Sequence, residues 1–164
     1  MMYVCNVDEE GIQRGSHHVE AVRKIAQEQG SDVVVICGKF EADLAEMDSA
    51  EEREEFLAEI GLKESGLATL ARAAYHLMGL RTYFTAGVEE CRAWTIKVGD
   101  TAPKAAGVIH SDFERGFIKA EVYSYDDLVQ YGSEAEIKAA GKYRMEGKEY
   151  VVQDGDVIFF KFNV

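Results

Sequence analysis

The chain has 164 residues, of which 47% are hydrophobic and 29% charged, and its formal net charge at pH 7 is −12. This length suffices for one ordinary domain or two small ones, and so acidic a chain is not a general nucleic-acid binder by bulk electrostatics. No apolar run approaches the roughly 18 residues of a transmembrane helix, and the first residues read as a strand rather than a signal peptide, so we expect no membrane partner.

The three cysteines, Cys5, Cys37 and Cys91, form no C-x-x-C pair. An odd, unspaced set is typical of reduced thiols, which favours a cytoplasmic location and argues against a structural zinc site. No nucleophile–base pair can be assigned to these thiols. The sequence therefore predicts no catalytic residue and no metal ligand.

Two apolar runs at 1–7 (MMYVCNV) and 32–37 (DVVVIC) predict strands that are covered on both faces, as in a parallel sheet. Between them we predict a loop over 8–15 and then a helix that begins after Ser16 and stops at Gly30. Strand, helix and strand within this length form one βαβ unit with parallel strands.

One βαβ unit is not a domain, because two parallel strands leave open edges and cannot bury their own faces. The first part of the chain is therefore expected to be a piece of a larger α/β sheet. We also expect it either to be less stable than the second part of the chain or to dimerise through the exposed edge of the first strand.

Three helices are predicted between residues 40 and 79. A short one covers 40–47, and Ser49 with Glu52 forms a capping box for the second. The third begins at Ser65 or Gly66 and carries apolar residues at helical spacing. The stripes predicted to be buried are Phe56, Leu57 and Ile60 on the second helix and Leu67, Leu70, Ala71, Ala74, Leu77 and Met78 on the third.

Charge changes along the chain. Residues 1–80 carry 7 Lys and Arg against 16 Asp and Glu, whereas residues 81–164 carry 11 against 14, so the formal charges are −9 and −3. This break supports a domain boundary at about residues 79–81.

The second part begins with a hairpin signal: two alternating runs, 82–86 and 91–96, are joined by a turn that contains Gly87. A helix follows that Thr101 can cap and that tolerates Pro103 in its first turn. Hairpin, helix and then a strand at 117–123 are the opening of a β-grasp fold.

Small residues and the chain end extend this interpretation. Ala105, Ala106 and Gly107 would let the helix lie close to a twisted sheet. Short helical turns are predicted within 125–141, followed by strands at 150–153 and 157–163 around a tight turn. A last strand in the middle of the sheet is typical of β-grasp architectures.

Asn6 and Glu9 come just after the first predicted strand, where ligands bind in open α/β sheets. An amide both donates and accepts hydrogen bonds and a carboxylate only accepts, so the pair can recognise the edge of a purine. Cys37-Gly38-Lys39 follows the second strand, where Gly38 permits close backbone approach and the Lys39 stem could cover a base. The alternative is that both segments are ordinary turns.

Taken with the rest of the chain, these residues resemble the YchF group of Obg-like ATPases, whose base-recognition loop is N-x-x-E. The resemblance implies that Asn6, Val7 and Glu9 bind the base of ATP, with GTP as the other candidate. It further implies that Cys37, Gly38 and Lys39 form the second base loop, although the usual S-A-K pattern has Ser and Ala in the first two positions. Residues 40–80 are similar to the group's acidic helical segment.

The second part resembles a TGS domain, a β-grasp (ubiquitin-like) module. The matching positions are Ala102, Ala106, Ile109, His110, Asp112, Phe117 and the segment 155–158. The implied fold class is α+β: a truncated α/β P-loop G-domain remnant (βαβ) and helices over 1–80, then a TGS domain over 81–164.

The sequence has no G-x-x-x-x-G-K-[ST] loop to hold the β- and γ-phosphates and place Mg²⁺. We therefore expect this chain alone not to hydrolyse ATP, even though the group it resembles consists of Mg²⁺-dependent ATPases. The expected partners are a nucleotide and the missing N-terminal half of the G domain.

The alternative function is a stand-alone TGS module that contacts RNA or the ribosome. Candidate contact residues are Arg81, Arg92, Lys97, Lys104, Arg115 and Lys119. Whether these side chains cluster or are scattered and merely solubilising is left open by the linear sequence.

Overall fold

The computed structural model describes residues 1–87 and 90–163. The chain divides into two compact units, Met1–Met78 and Gly79–Val164, and each is described by itself. No helix in the described ranges is long and apolar enough to cross a membrane.

The first unit has a two-stranded parallel sheet with helices. Its two strands pair in the predicted parallel sense, with Asn6 opposite Ile36 at the carboxyl end. The elements are β1 (Met2–Asn6), α1 (Glu9–Arg14), α2 (His17–Glu28), β2 (Asp32–Ile36), α3 (Gly38–Glu46), α4 (Ala50–Glu59) and α5 (Gly66–Leu77).

Helix α1 replaces the loop predicted over 8–15. The Asp8 side chain accepts a hydrogen bond from the Gly11 N–H at 2.8 Å, which caps the helix start. Glu9 and Glu10 lie in the first turn, where their negative charges interact favourably with the positive end of the helix dipole. The glycines were interpreted as loop residues, but Gly11 is buried, and a Cβ there would lie 2.9 Å from the Val7 Cβ.

The stripes predicted on α4 and α5 are at most half-buried, and neither helix has a fully buried side chain. On α5, Leu67 is 54% exposed and Met78, just after the helix, is 60% exposed. Ser49 and Ser65 stand at the helix starts as predicted, since Ser49 accepts from the Glu52 N–H at 3.0 Å and Ser65 from the Ala68 N–H at 3.1 Å. For the predicted capping box this is the serine half of the contact. Helical spacing therefore predicted these helices, but it overestimated how much of their apolar surface is buried within the first unit.

The second unit is built on a five-stranded mixed sheet. Its strands run in the order β4-β3-β7-β5-β6, so the last strand of the chain lies in the centre, parallel to β3 and antiparallel to β5. The elements are β3 (Leu80–Ala86), β4 (Cys91–Lys97), α6 (Ala102–Ile109), α7 (Ser111–Arg115), β5 (Phe117–Ser124), α8 (Tyr125–Tyr131), α9 (Glu134–Ala139), β6 (Arg144–Glu146) and β7 (Asp156–Phe162).

The larger core of this unit lies between the sheet and α6. Ala102, Ala105 and Ala106 are fully buried in it, which explains how closely the helix approaches the strands. Gly107 has a different role from the one predicted, because a Cβ there would lie 2.4 Å from a carboxylate oxygen of Glu114 in α7. The glycine therefore accommodates the next helix rather than the sheet.

A smaller cluster on Tyr123, Ile137 and Val157 packs α8 and α9 against the sheet's other face. The cover on that face is incomplete, since Phe159 of the central strand is 51% exposed. The sheet thus has one well-covered face and one that is partly open.

The predicted strand at 150–153 does not form, and only Val151 makes an isolated bridge, to Thr101. The buried Asp156 carboxylate organises this segment as a loop, because it accepts from the Tyr150 hydroxyl at 2.7 Å and the Gln153 N–H at 2.8 Å. Strand β6, only three residues long, was not predicted.

Helix α7 was also not predicted as a separate element. His110 caps it, since the imidazole Nδ1 accepts from the Asp112 N–H at 3.2 Å. Thr101 precedes α6 as predicted, but its side chain makes no capping hydrogen bond.

Candidate functional site

Asn6 connects the two loops that follow β1 and β2. Its side-chain Oδ1 accepts a hydrogen bond from the Gly38 N–H at 3.0 Å. The pairing of the strands continues one residue further, because the Val7 N–H donates to the Ile36 carbonyl at 2.9 Å. An ideal Cβ on Gly38 would lie 3.4 Å from the Asn6 Oδ1, which is ordinary van der Waals contact, so the hydrogen bond does not itself require a glycine.

Gly38 is also the first residue of α3. Cys37 stands at the N-cap, but its side chain makes no capping bond and is buried. Asn6 therefore supplies the acceptor that the helix start lacks locally.

Glu9 and Lys39 form an ion pair between the same two loops, with a hydrogen bond from the Lys39 Nζ to the Glu9 Oε1. The Glu9 side chain is 48% exposed and that of Lys39 is 69% exposed. The hydrogen bond to Glu9, and then its charge, raise the pKa of Lys39. The lysine is therefore charged at neutral pH, and both side chains are accessible from solvent.

This arrangement offers complementary hydrogen-bonding groups at one edge of the sheet. Oδ1 of Asn6 is engaged, while its amide N–H groups remain able to donate. The Glu9 carboxylate can accept from an amino group, and the apolar stem of Lys39 can lie along a ring. Such groups can recognise the edge of a purine base.

Glu41, one turn into α3, was not identified from the sequence. Its Oε1 accepts from the Gly66 N–H at 2.7 Å and its Oε2 from the Leu67 N–H at 3.3 Å. The carboxylate thus holds the start of α5 against the helix that carries Gly38 and Lys39. Ser65 indicated the start of a helix, but no sequence signal paired it with this carboxylate.

The six basic residues predicted to contact RNA have different partners and lie on several elements. The Arg81 guanidinium donates to the Val152 carbonyl at 3.1 Å, and that of Arg92 lies 4.2 Å from the centre of the Trp94 ring. Lys97 is the last residue of β4.

The other three lie on separate elements. Lys104 of α6 is 3.9 Å from Asp100, and Arg115 of α7 forms an ion pair with Asp112. Lys119 of β5 projects from the partly open face of the sheet, on the side of Glu121 and Lys161. The six residues thus lie on five elements of the second unit, β3, β4, α6, α7 and β5.

Within residues 1–87 and 90–163, no group of three or more His, Cys, Asp or Glu side chains is arranged to hold a metal ion. The cysteines Cys5, Cys37 and Cys91 are free thiols.

Residues 80–163 match the family model YchF-GTPase_C, described as a protein of unknown function (DUF933). The chain is 54% identical over 163 residues to the ribosome-binding ATPase YchF of Pasteurella multocida and 55% identical over 163 residues to that of Escherichia coli O157:H7. Each match covers 99% of this chain and 44% of the relative. The solved structure of the Schizosaccharomyces pombe YchF GTPase matches 98% of this chain and 43% of its own, with a TM-score of 0.82 and 36% identity.

The chain thus spans less than half the length of these relatives. The family model covers the whole described part of the second unit from β3 onward, and the longer matches extend through the first unit as well. This chain belongs to the YchF family of Obg-like ATPases and corresponds to a C-terminal portion of its members.

Proposed function

We propose that this chain is the C-terminal part of a cytoplasmic, translation-associated protein that binds ATP or GTP. The base would contact Asn6, Val7 and Glu9 of the first loop and the segment 37–39 of the second. The relatives' name, ribosome-binding ATPase, supports both the nucleotide and the ribosome.

One observation carries the base-binding proposal: the hydrogen bond from the Gly38 N–H to the Asn6 side chain. It holds the loop after β1 against the loop after β2, so that their polar groups converge before any ligand arrives. An already assembled site loses less conformational entropy on binding.

We assign the second unit as a TGS domain of the β-grasp type, in the range 81–164, and the range 1–80 as a piece of a P-loop G domain. The order of elements supports the first assignment: a hairpin, then α6, then β5, with the last strand in the sheet centre. The parallel β1–β2 pair with its loops supports the second.

Phosphate chemistry requires groups that we do not find in these 164 residues, since no Walker-type loop occurs in the sequence. In the full-length protein the remaining part of the G domain would supply that loop and the Mg²⁺ site. We therefore expect no phosphate release from this chain alone.

The test is nucleotide competition in the full-length protein, with Asn6→Ala and Glu9→Ala as the variants. Each variant should change the ratio of ATP to GTP affinity by roughly tenfold, because each removes a hydrogen bond to the base edge. Glu10→Ala is the matched control, since that carboxylate is paired with Arg14 on the exposed side of α1. An unchanged ratio in both variants would refute the assignment.

A second candidate function is RNA or ribosome contact by the TGS unit without nucleotide. The observation in its favour is that the second unit is compact and has two core clusters of its own. Salt-dependent co-sedimentation of the 164-residue chain with ribosomes, in the absence of nucleotide, is the expected result. No pelleting at low salt with a folded chain would exclude it.

A further inference from the structure

Three acidic residues follow β1 in succession, and the structure gives each a different partner. Asp8 caps the start of α1, and Glu10 pairs with Arg14 at 2.8 Å, one turn further along the same helix. Glu9 instead reaches the second loop, where its Oε1 accepts a hydrogen bond from the Lys39 Nζ. The carboxylate proposed to meet the base is therefore held by a cation of the opposite loop.

Hydrogen bonds fix the backbone on both sides of this ion pair. Glu9 is the first residue of the capped helix α1. Lys39 is the second residue of α3, whose first N–H, that of Gly38, donates to the Asn6 Oδ1 at 3.0 Å. Exposed ion pairs contribute little to stability, so the main consequence of this pair is its effect on the acceptor capacity of Glu9.

The surroundings of Lys39 keep its ammonium group charged. The hydrogen bond to Glu9, and then the negative charge of that residue, raise the pKa of Lys39, and the charge of Asp43, one turn further along α3, acts in the same direction. At neutral pH the lysine therefore presents a full positive charge to the carboxylate. Both side chains are accessible to a ligand, since neither is buried.

A carboxylate with both oxygens available can accept two parallel hydrogen bonds. Guanine offers two such donors side by side, its N1–H and its 2-amino group. Adenine offers the 6-amino group alone on this edge, and hypoxanthine offers N1–H alone. The Lys39 Nζ takes up Oε1 of Glu9 and leaves Oε2 for a base. One remaining oxygen matches the single donor of adenine or hypoxanthine, but not the pair of donors on guanine.

We propose that Lys39 is a specificity-determining residue of the base site, which acts against guanine by occupying one oxygen of Glu9. The free oxygen accepts from the 6-amino group of adenine or from the N1–H of hypoxanthine. Guanine binds through one of its two donors, and its 2-amino group gains no partner from this carboxylate. This inference rests on the proposed function, since it requires a base at these loops, and it goes further by stating which purine the ion pair disfavours.

The experiment compares the affinities of ATP, GTP and inosine triphosphate (ITP) in the full-length protein. The three nucleotides share their ribose and triphosphate, so contacts to those groups cancel from affinity ratios and only the base loops contribute. In the parent, GTP and ITP should bind within about twofold of each other. Lys39→Met keeps an apolar stem but removes the ammonium group, and it should raise the ratio of GTP to ITP affinity by about tenfold. The ratio of ATP to ITP affinity should not change.

Three controls accompany this comparison. Lys24→Met removes an exposed lysine from α2 of the same unit and should leave all ratios unchanged. In the Glu9→Ala background Lys39→Met should no longer change the ratio of GTP to ITP affinity, because the lysine acts through that carboxylate. In the parent, added salt should raise the same ratio by screening the ion pair, a measurement that does not depend on whether a variant folds.

The proposal is overturned if Lys39→Met weakens all three nucleotides equally, since unchanged ratios would mean a merely structural lysine. It is equally overturned if the parent already binds GTP about tenfold more tightly than ITP, because both oxygens of Glu9 would then be serving guanine. A rise in the ratio in Lys24→Met equal to that in Lys39→Met would also contradict it.

Failure of this inference can be distinguished from failure of the proposed function. If Asn6→Ala and Glu9→Ala change the ratio of ATP to GTP affinity but Lys39→Met does not, the base site stands and only the role of Lys39 is wrong. If none of the three variants changes that ratio, the base does not lie at these loops, and both proposals fail.

Discussion

The two units are similar in length but not in their interiors. Among the described residues the first unit has six buried apolar side chains and the second has fourteen. The second unit arranges them in two clusters on the two faces of a five-stranded sheet, whereas the first has a two-stranded sheet and helices α4 and α5 without a fully buried residue. Burial of apolar surface is the main favourable term in folding, so we expect the second unit to be the more stable.

The unit that we expect to be the more stable is therefore not the unit that contains the proposed nucleotide-binding residues. The proposed base-contacting residues belong to the unit with the smaller core, where hydrogen bonds and ion pairs between loops hold them in place. The unit with the larger core carries the match to the family model. A sparsely packed unit depends more on individual polar contacts, and a densely packed one tolerates their loss.

The largest expected effect is the loss of a core side chain from the central strand. Ile158→Ala should lower the free energy of unfolding of the second unit by about 2–5 kcal/mol, because Ile158 is 2% exposed and its truncation leaves a cavity. Urea unfolding followed by the fluorescence of Trp94 measures this, since the chain's single tryptophan belongs to the second unit. Ile118→Ala, on the neighbouring strand and 56% exposed, should change it by less than about 0.5 kcal/mol.

The same measurement tests whether the two units unfold independently. Val34→Ala removes a buried side chain from the first unit, and it should leave the Trp94 transition unchanged if the units unfold separately. An equal shift of the Trp94 midpoint in Val34→Ala and Ile158→Ala would show that the two units unfold as one.

Continuous or alternating apolar runs predicted the principal strands, because their pattern reports burial directly. The parallel pairing of β1 and β2 was predicted from their connection through a helix, and the central position of β7 from the β-grasp interpretation. The errors occurred where polar contacts decide the conformation. Asp8 converts a predicted loop into α1, and Asp156 turns a predicted strand into a loop.

At the candidate site, the sequence predicted which loops adjoin but not how their side chains pair. Adjacent parallel strands place the loops after Asn6 and Ile36 side by side, whatever their residues. The Glu9–Lys39 ion pair and the contact of Glu41 with α5 depend on the rotation of α1 and α3 about their axes. No local pattern encodes those rotations, since they are set by packing within the whole unit.

A smaller effect is expected from the carboxylate that joins two helices of the first unit. Glu41→Ala should destabilise α5 locally by about 1–2 kcal/mol, because the Gly66 and Leu67 N–H groups lose a charged acceptor at a helix start. Hydrogen exchange should show α5 amides losing about tenfold protection, while β7 amides are unchanged.

Glu46→Ala is the control, since it removes an exposed carboxylate from the other end of α3. A loss of protection in β7 equal to that in α5 would contradict the view that the polar contacts of the first unit act locally.

The smallest effect concerns the pH dependence of the first unit. Hydrogen bonds from Arg72 and then Thr69 lower the pKa of Glu64 from its ordinary value of 4.5 to about 2. A folded-state pKa below the unfolded value means that the contribution is complete above about pH 4.5. It is lost as the pH falls toward 2, where Glu64 becomes protonated in both states.

Carbon-detected NMR titration of the Glu64 carboxyl group should therefore place its midpoint well below that of a free glutamate. Arg72→Gln should move the midpoint back toward 4.5, whereas Arg23→Gln, which removes a guanidinium bonded to Glu20 on α2, should not move it. Because Glu64 and Arg72 are both partly exposed, salt should screen the pair, and added salt should raise the Glu64 pKa in the parent more than in Arg72→Gln. If the Glu64 midpoint is the same in Arg72→Gln as in the parent, the first unit does not rely on this ion pair. That result would contradict the proposed contrast between a unit held by polar contacts and a unit held by its apolar core.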